Sequence, residues 1–302
     1  MAKSVTEQVR SGTQVDGIDV LGALSPSRAG DFKTCPLMYR YRTIDKLPEP
    51  PSSAAVRGTV VHKVLEDLFD LPAAERTPDR AEQMIDAAWG HVRQDDERAV
   101  DLFPEGSDEE AQALWLQSCR DVLRKYFDLE DPTALEPAER ELYVETLLES
   151  KLLLRGFVDR IDIAANGAIR VVDYKSGASP SEGWETKALF QMRFYALVIW
   201  KTRGVIPAML RLIYLGNGEM ISYAPDEQDL RSTERQLDAL WTAISRAHES
   251  GDWRPSKSRL CDWCSFRQHC PEWGGTLLPL PEVPAGSAGE DASEAGDVEP
   301  DE

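Results

Sequence analysis

Asp159, Asp173 and Lys175 are the residues of this chain whose types and spacing could do chemistry together. Residues 156–163 read GFVDRIDI, Asn166-Gly167 offers a turn, and AIRVVDYKSG follows. Two alternating, β-branched segments meeting at such a turn predict a hairpin, and ALFQMRFYALVIW predicts a helix after it. Side chains two apart on a strand share a face, so Asp173 and Lys175 point one way and Tyr174 the other. Asp159 lies across the hairpin. Carboxylates placed like this can hold Mg²⁺ or Mn²⁺, an ion that activates water and neutralises phosphate charge. The chemistry expected is phosphodiester hydrolysis.

GFVDRID, VVDYKSG and QMRFY, in that order and spacing, resemble the nuclease domain of the RecB family within the PD-(D/E)XK nuclease superfamily. DYK alone is a weak signal; the ordered set is a strong one. Asp173 stands where the superfamily often has glutamate, which RecB-type members replace with aspartate. The resemblance spans roughly residues 24–273. It implies an α/β fold: a restriction-endonuclease-like core with a mixed central sheet, a helical insertion and a C-terminal iron–sulfur segment. It also implies catalytic roles for Lys175, Asp159, Asp173 and Gln191, with Gln191 supporting the lysine. Metal ligation would fall to His62, Asp159, Asp173 and the backbone carbonyl of Tyr174. Tyr195 and Arg160 would lie near the DNA. Without the resemblance, Gln191 and Tyr195 are ordinary polar positions four apart on a helix, and Arg160 is equally suited to a local salt bridge.

Several elements must position these groups. Residues 56–71 read VRGTVVHKVLEDLFDL, with Val60, Val61, Val64, Leu65, Leu68 and Phe69 at helical spacing. His62 and Glu66, four apart, share another face. A histidine–glutamate surface pair is the bland reading, whereas RGTxxHxxLE resembles the family motif whose histidine ligates metal. Glu66 is open between supporting the site and a plain salt bridge. Residues 79–130 read as a helical insertion with Trp89, Trp115 and Cys119 on apolar stripes, and Cys119 as a small buried hydrophobe. Residues 139–154 supply a strand and a turn near Glu149-Ser150 leading into the hairpin. Residues 176–186 are a loop, 208–223 a second hairpin around Gly216-Asn217-Gly218, and 226–249 a helix.

Ser25-Pro26-Ser27 is a helix start with a hydroxyl cap, and Cys35-Pro36 begins a second short helix. Cys261, Cys264 and Cys270 fall within LCDWCSFRQHC, and such clustering suggests metal rather than disulfides. Cys35 is the candidate fourth ligand. Zn²⁺ held by four cysteines, or with His269 substituting, is a physical alternative that the cysteine pattern does not separate from iron–sulfur. One early cysteine and a late CxxCx₅C resemble the iron–sulfur staple of AddB-type and CRISPR-adaptation nucleases, which implies a [4Fe–4S] cluster.

The 302 residues, 42% hydrophobic with eight tryptophans, suffice for a substantial core. A net charge of −19 argues against coating nucleic acid by bulk attraction. Positive charge gathers at Arg28, Lys33, Arg40, Arg42 and Lys46, interleaved with Phe32, Tyr39 and Tyr41. That cluster suggests a DNA track, with Arg28 and Arg40 as contacts; a solvated helix face would look similar. No signal peptide or membrane-spanning run is visible, so a cytoplasmic location is expected. The expected organisation is a disordered N-terminus over 1–22, a nuclease domain over 23–275 with its cysteine segment at 260–273, and an acidic disordered tail over 276–302. The function expected is a Mg²⁺- or Mn²⁺-dependent DNA nuclease acting as an exonuclease on ends or single strands in repair or recombination, with a possible helicase partner. A non-catalytic DNA-end-binding or scaffold subunit is the alternative. A cluster-based redox sensor would leave Asp159, Asp173 and Lys175 unexplained.

Overall fold

The computed structural model describes residues 14–15, 18–104, 106, 108–179 and 185–281. Strands β1 (Gln14–Val15) and β2 (Ile18–Asp19) pair with each other, and β3 (Gly22–Leu24) enters the main sheet. Part of the segment expected to be disordered is therefore ordered, because the Gly22–Leu24 backbone pairs with Leu152–Leu154. Helices α1 (Pro26–Thr34) and α2 (Pro36–Tyr39) follow, α1 capped by Ser25 Oγ accepting from the Arg28 amide, and Pro36 opening α2 as expected.

Helix α3 (Ser53–Leu68), α4 (Pro78–Asp95), α5 (Glu97–Leu102), α6 (Glu109–Arg124) and α7 (Tyr126–Leu129) come next. The α3 stripe Val60–Val61–Val64–Leu65–Leu68 packs with Ile85, Trp89, Trp115 and Cys119 against Val172, Tyr174 and Ile213 of the sheet and Leu215 just beyond it. The helical insertion thus forms one whole layer of the fold. Cys119 and both tryptophans are buried in it, as their spacing predicts.

The sheet is built from β3, β4 (Glu139–Leu147), β5 (Leu152–Ile163), β6 (Ile169–Lys175), then β7 (Met209–Tyr214) and β8 (Glu219–Tyr223) after helix α8 (Glu185–Arg203). Its order is β3-β5-β6-β7-β8, with β4 along the other edge of β5. The β3–β5 and β6–β7 pairs are parallel and the others antiparallel, so the sheet is mixed. Helix α9 (Glu227–Ser250), capped reciprocally by Asp226 and Asp229, packs with α8, α1 and α2 on the face opposite α3. Phe190, Met192 and residues 194–200 of α8 join the core because that stretch lies between sheet and α9. The result is a three-layer α/β/α fold of restriction-endonuclease-like type.

Two expectations about charge and disorder are corrected. Arg40 is 1% exposed, pairs with Asp45 at 2.9 Å and donates to the Leu278 and Pro279 carbonyls, both at 2.7 Å. Residues 276–281, assigned to the tail, therefore anchor a buried guanidinium, while 282–302 lie outside the described residues. Arg42 is held by Asp31 and Glu49, and Tyr39 and Tyr41 are buried. Arg40, Arg42, Tyr39 and Tyr41 are thus committed to core and ion pairs, which takes them out of the expected DNA track. Residues 180–184 of the expected loop also lie outside the described residues. Among the described residues no helix is long and apolar enough to cross a membrane.

Candidate active site

The site forms where β5 and β6 separate. Their ladder runs from Ile163–Ile169 to Arg160–Val172 and goes no further, and β3 takes up the same edge of β5 only at Leu154. In the opening, the Asp159 carboxylate accepts from the Tyr174 amide at 2.6 Å, so a side chain replaces the next rung. On the other edge, β4 pairs Arg140 with Arg160 and Leu142 with Val158. Between them Glu141 takes φ +43°, a conformation unfavourable for a residue with a Cβ. Val158 faces the α8 core whereas Arg160 faces Tyr126 and Tyr174 on the opposite side. The strands change face at this point, and the change directs Glu141 and Asp159 toward α3.

His62 arrives from α3. A Cβ at Gly58 would lie 3.0 Å from Ser176 Oγ, so the glycine lets α3 approach the end of β6. His62 Nδ1 lies 3.6 Å from Asp159 Oδ2 and 3.9 Å from Glu141 Oε1, and its Nε2 lies 3.0 Å from the Tyr174 carbonyl oxygen. His62, Glu141 and Asp159 each offer a ligand atom within 4.8 Å of the others. Burial, reinforced by Asp159, pushes the Glu141 carboxyl well above the usual range. Burial likewise raises Asp159, and the neighbouring Asp173 adds to it, while His62 opposes the shift. Partly buried oxygens with this much mutual repulsion, beside one imidazole and one carbonyl, match the donors a Mg²⁺ or Mn²⁺ ion takes.

Asp173 and Lys175 share a face of β6, as alternation requires. Lys175 Nζ is 2.6 Å from Asp173 Oδ2 and donates to Gln191 Oε1 at 2.9 Å; Gln191 Nε2 donates to Asp173 Oδ1 at 2.8 Å. The three side chains form a closed ring that fixes the ammonium. Tyr195, one turn on from Gln191, is buried, and burial raises its hydroxyl pKa, with the Asp173 and Asp159 charges adding. A Cβ on Gly156 would lie 2.9 Å from its ring, so the glycine of GFVDRID makes room for Tyr195. His62, Glu141, Phe157, Tyr174 and Lys175 line a cleft of about 890 Å³.

The structure brings His62, Asp159 and the Tyr174 carbonyl together as expected and sets Asp173 with Lys175 and Gln191 beside them. Glu141 was not anticipated. Glu66 is engaged by Lys63 at 3.0 Å, the plain salt bridge. Arg160 is corrected: it is fully buried, ion-paired with Glu130 at 2.8 Å and Asp162 at 3.1 Å, and presents no surface to a strand. Arg28 is partly buried at a separate cavity beside Tyr39 and Trp241. In a separate, small cavity, Cys35, Cys261, Cys264 and Cys270 come together, with Cys35 Sγ accepting from the Ser256 amide and Cys261 Sγ from the Ser258 amide, both at 3.4 Å. Burial raises the Cys270 thiol, and the other three sulfurs add to the shift.

Known proteins agree with this architecture. The chain is 27% identical over 208 residues to the Gene 69 protein of Mycobacterium phage D29, covering 60% of this chain and 70% of that protein. It is 22% identical over 285 residues to the Gene 69 protein of Mycobacterium phage L5, covering 82% and 95% respectively. A crystal structure from Eubacterium rectale, titled as a candidate exonuclease, superposes with a TM-score of 0.52 at 12% identity, over 80% of this chain and 86% of that one; it shares the fold. The sequence profile of the PD-(D/E)XK nuclease superfamily matches residues 23–271, a span containing every residue of the cleft described above. The chain belongs to the PD-(D/E)XK nuclease superfamily.

Proposed function

We propose that this nuclease is a Mg²⁺- or Mn²⁺-dependent deoxyribonuclease acting on DNA ends or single strands. The observation that carries the reading is the Asp173–Lys175–Gln191 ring set beside the His62–Glu141–Asp159 cluster. His62, Glu141, Asp159 and the Tyr174 carbonyl would hold the ion, with Asp173 at its edge. When bound, the ion supplies Lewis acidity toward the phosphate and lowers the pKa of water. Lys175, held by Gln191, places a positive charge where the pentacovalent phosphate gathers negative charge. The water oxygen gives up a proton and forms a new P–O bond, the bond to the leaving sugar oxygen breaks, and that oxygen takes up a proton. A scaffold subunit would have no use for a carboxylate cluster that repels itself, which favours the enzyme over the binding module.

The four cysteines support a second part of the reading, a [4Fe–4S] cluster joining Cys35 to Cys261, Cys264 and Cys270. Their common cavity links positions far apart in the chain, and the described cysteines include no disulfide. Reduced thiols accord with a cytoplasmic protein, and the finer setting proposed is DNA repair or recombination, with a helicase as candidate partner. Anaerobically purified protein incubated with end-labelled single- and double-stranded DNA tests the activity. Products should appear with Mg²⁺ or Mn²⁺ and vanish in EDTA; cleavage undiminished by EDTA would overturn the mechanism.

A further inference from the structure

Tyr143 on β4 and Phe157 on β5 are direct cross-strand partners. Their ring centroids lie 5.3 Å apart, and the rings are 42% and 36% exposed. Cross-strand aromatic pairs commonly stabilise antiparallel sheets. This one differs in its place. Phe157 lines the same cleft as His62, Glu141 and Lys175, and Tyr143 and Phe157 stand two residues from Glu141 and Asp159 respectively. Two residues of strand span about 7 Å, the reach of about one nucleotide. The Tyr143 ring is also held in place, its hydroxyl donating to Glu145 Oε2 at 2.6 Å, with Arg155 reaching the same hydroxyl.

We propose that Phe157, backed by the tilted Tyr143 ring, forms a stacking platform for the nucleobase next to the scissile phosphate, so that the cleft selects single-stranded or frayed DNA. The inference rests on the nuclease reading above. A base inside a duplex is stacked on its neighbours and has no face to offer, so a platform here admits only an unpaired one. The charge of the cleft points the same way. Glu66, Asp95, Asp96 and Glu141 line the cleft against Lys63 and Lys175, and the chain carries −19 overall, so bulk attraction holds a strand poorly. Stacking supplies affinity that does not depend on net charge. The platform lies beside the metal site, so the base it holds fixes which phosphate reaches His62, Glu141 and Asp159.

The test is binding of oligo(dT) and of an abasic oligomer of equal length and charge, followed by fluorescence anisotropy with Ca²⁺ present. It uses a Lys175→Ala background, so binding is read without cleavage. The parent should bind oligo(dT) roughly five- to a hundredfold tighter than the abasic strand, the range of one stacked base. Phe157→Ala combined with Tyr143→Ala should remove at least fivefold of that preference and leave abasic binding within about twofold. Phe157→Leu, which keeps the apolar cross-strand contact, should lose the preference without loss of melting temperature, and Phe157→Tyr should retain it. Equal weakening on both strands, or an unchanged preference in Phe157→Leu, overturns the platform. The nuclease reading is tested separately, by cleavage in the Lys175-containing protein.

Discussion

Glu141→Gln should stabilise the metal-free protein and weaken its response to metal. In the metal-free fold the Glu141 carboxyl titrates near 7 rather than its ordinary 4.5, because it is buried beside Asp159. A raised carboxyl stabilises the fold only while protonated. That contribution is complete below pH 4.5 and disappears as pH rises through about 7. At 1.36 kcal/mol per tenfold, the wild type has lost about 3 kcal/mol by pH 8. The side chain is 32% exposed, so solvent screening reduces this to about 1–2 kcal/mol. For a protein of this size that is about 2–3 °C in melting temperature. Differential scanning fluorimetry in EDTA should therefore show Glu141→Gln melting above wild type at pH 8 and level with it at pH 4.5. With Mn²⁺ the gap should close. At a metal concentration about a hundredfold above the dissociation constant the wild type gains about 2.7 kcal/mol, whereas a variant binding tenfold more weakly gains about 1.4 kcal/mol. Equal destabilisation of Glu141→Gln at both pH values, with an undiminished Mn²⁺ response, would refute the assignment and leave Glu141 a structural residue.

Ca²⁺ should raise the melting temperature without supporting cleavage, since the oxygen-rich site accepts a larger hard cation that is poorly suited to activating water; product formation in Ca²⁺ alone would count against the ligand geometry. Alanine at Cys35, Cys261, Cys264 or Cys270 should each lower both iron content and melting temperature in anaerobic preparations, because a bond closing a loop this long is also folding energy. Cys119→Ala should leave iron unchanged, and a colourless, zinc-containing wild type would refute the cluster. Arg160→Ala should cost about 3 kcal/mol of stability, the low end for a broken buried pair, because Arg211 still reaches Glu130 and Arg170 still reaches Asp162. Chemical denaturation measures this, and a DNA-binding defect without that loss would restore Arg160 to the interface.

Much of the site was legible because its parts obey local rules. Alternation along β6 fixes Asp173 and Lys175 on one side, the i, i+4 spacing brings Gln191 and Tyr195 to one face, and the apolar stripe of α3 leaves His62 at the margin of the buried face. Glu141 escaped because ERELYVETL carries several glutamates, and nothing local separates Glu141 from Glu139 or Glu145. Register could have found it. A turn centred on Ser150 pairs Leu147 with Leu153, and counting outward sets Glu141 opposite Asp159. Arg40 was read as a surface contact because its partners at 278–279 are distant backbone carbonyls, whereas the local salt bridge open to Arg160 is the one it makes with Asp162, joined by the distant Glu130. Local pattern carries no record of such tertiary pairing.

The central claim is that Lys175 and the carboxylates act together on a phosphodiester. Its most direct test is single-turnover cleavage of end-labelled single-stranded DNA in Mn²⁺ by wild type, Lys175→Ala and Asp173→Ala, with the Mn²⁺-induced melting shift measured on the same preparations. The account predicts that each substitution lowers the rate by at least roughly 10²-fold, and that Lys175→Ala keeps its Mn²⁺ shift because it removes no ligand. Wild-type rates in both variants, with contaminating nuclease excluded, would contradict it.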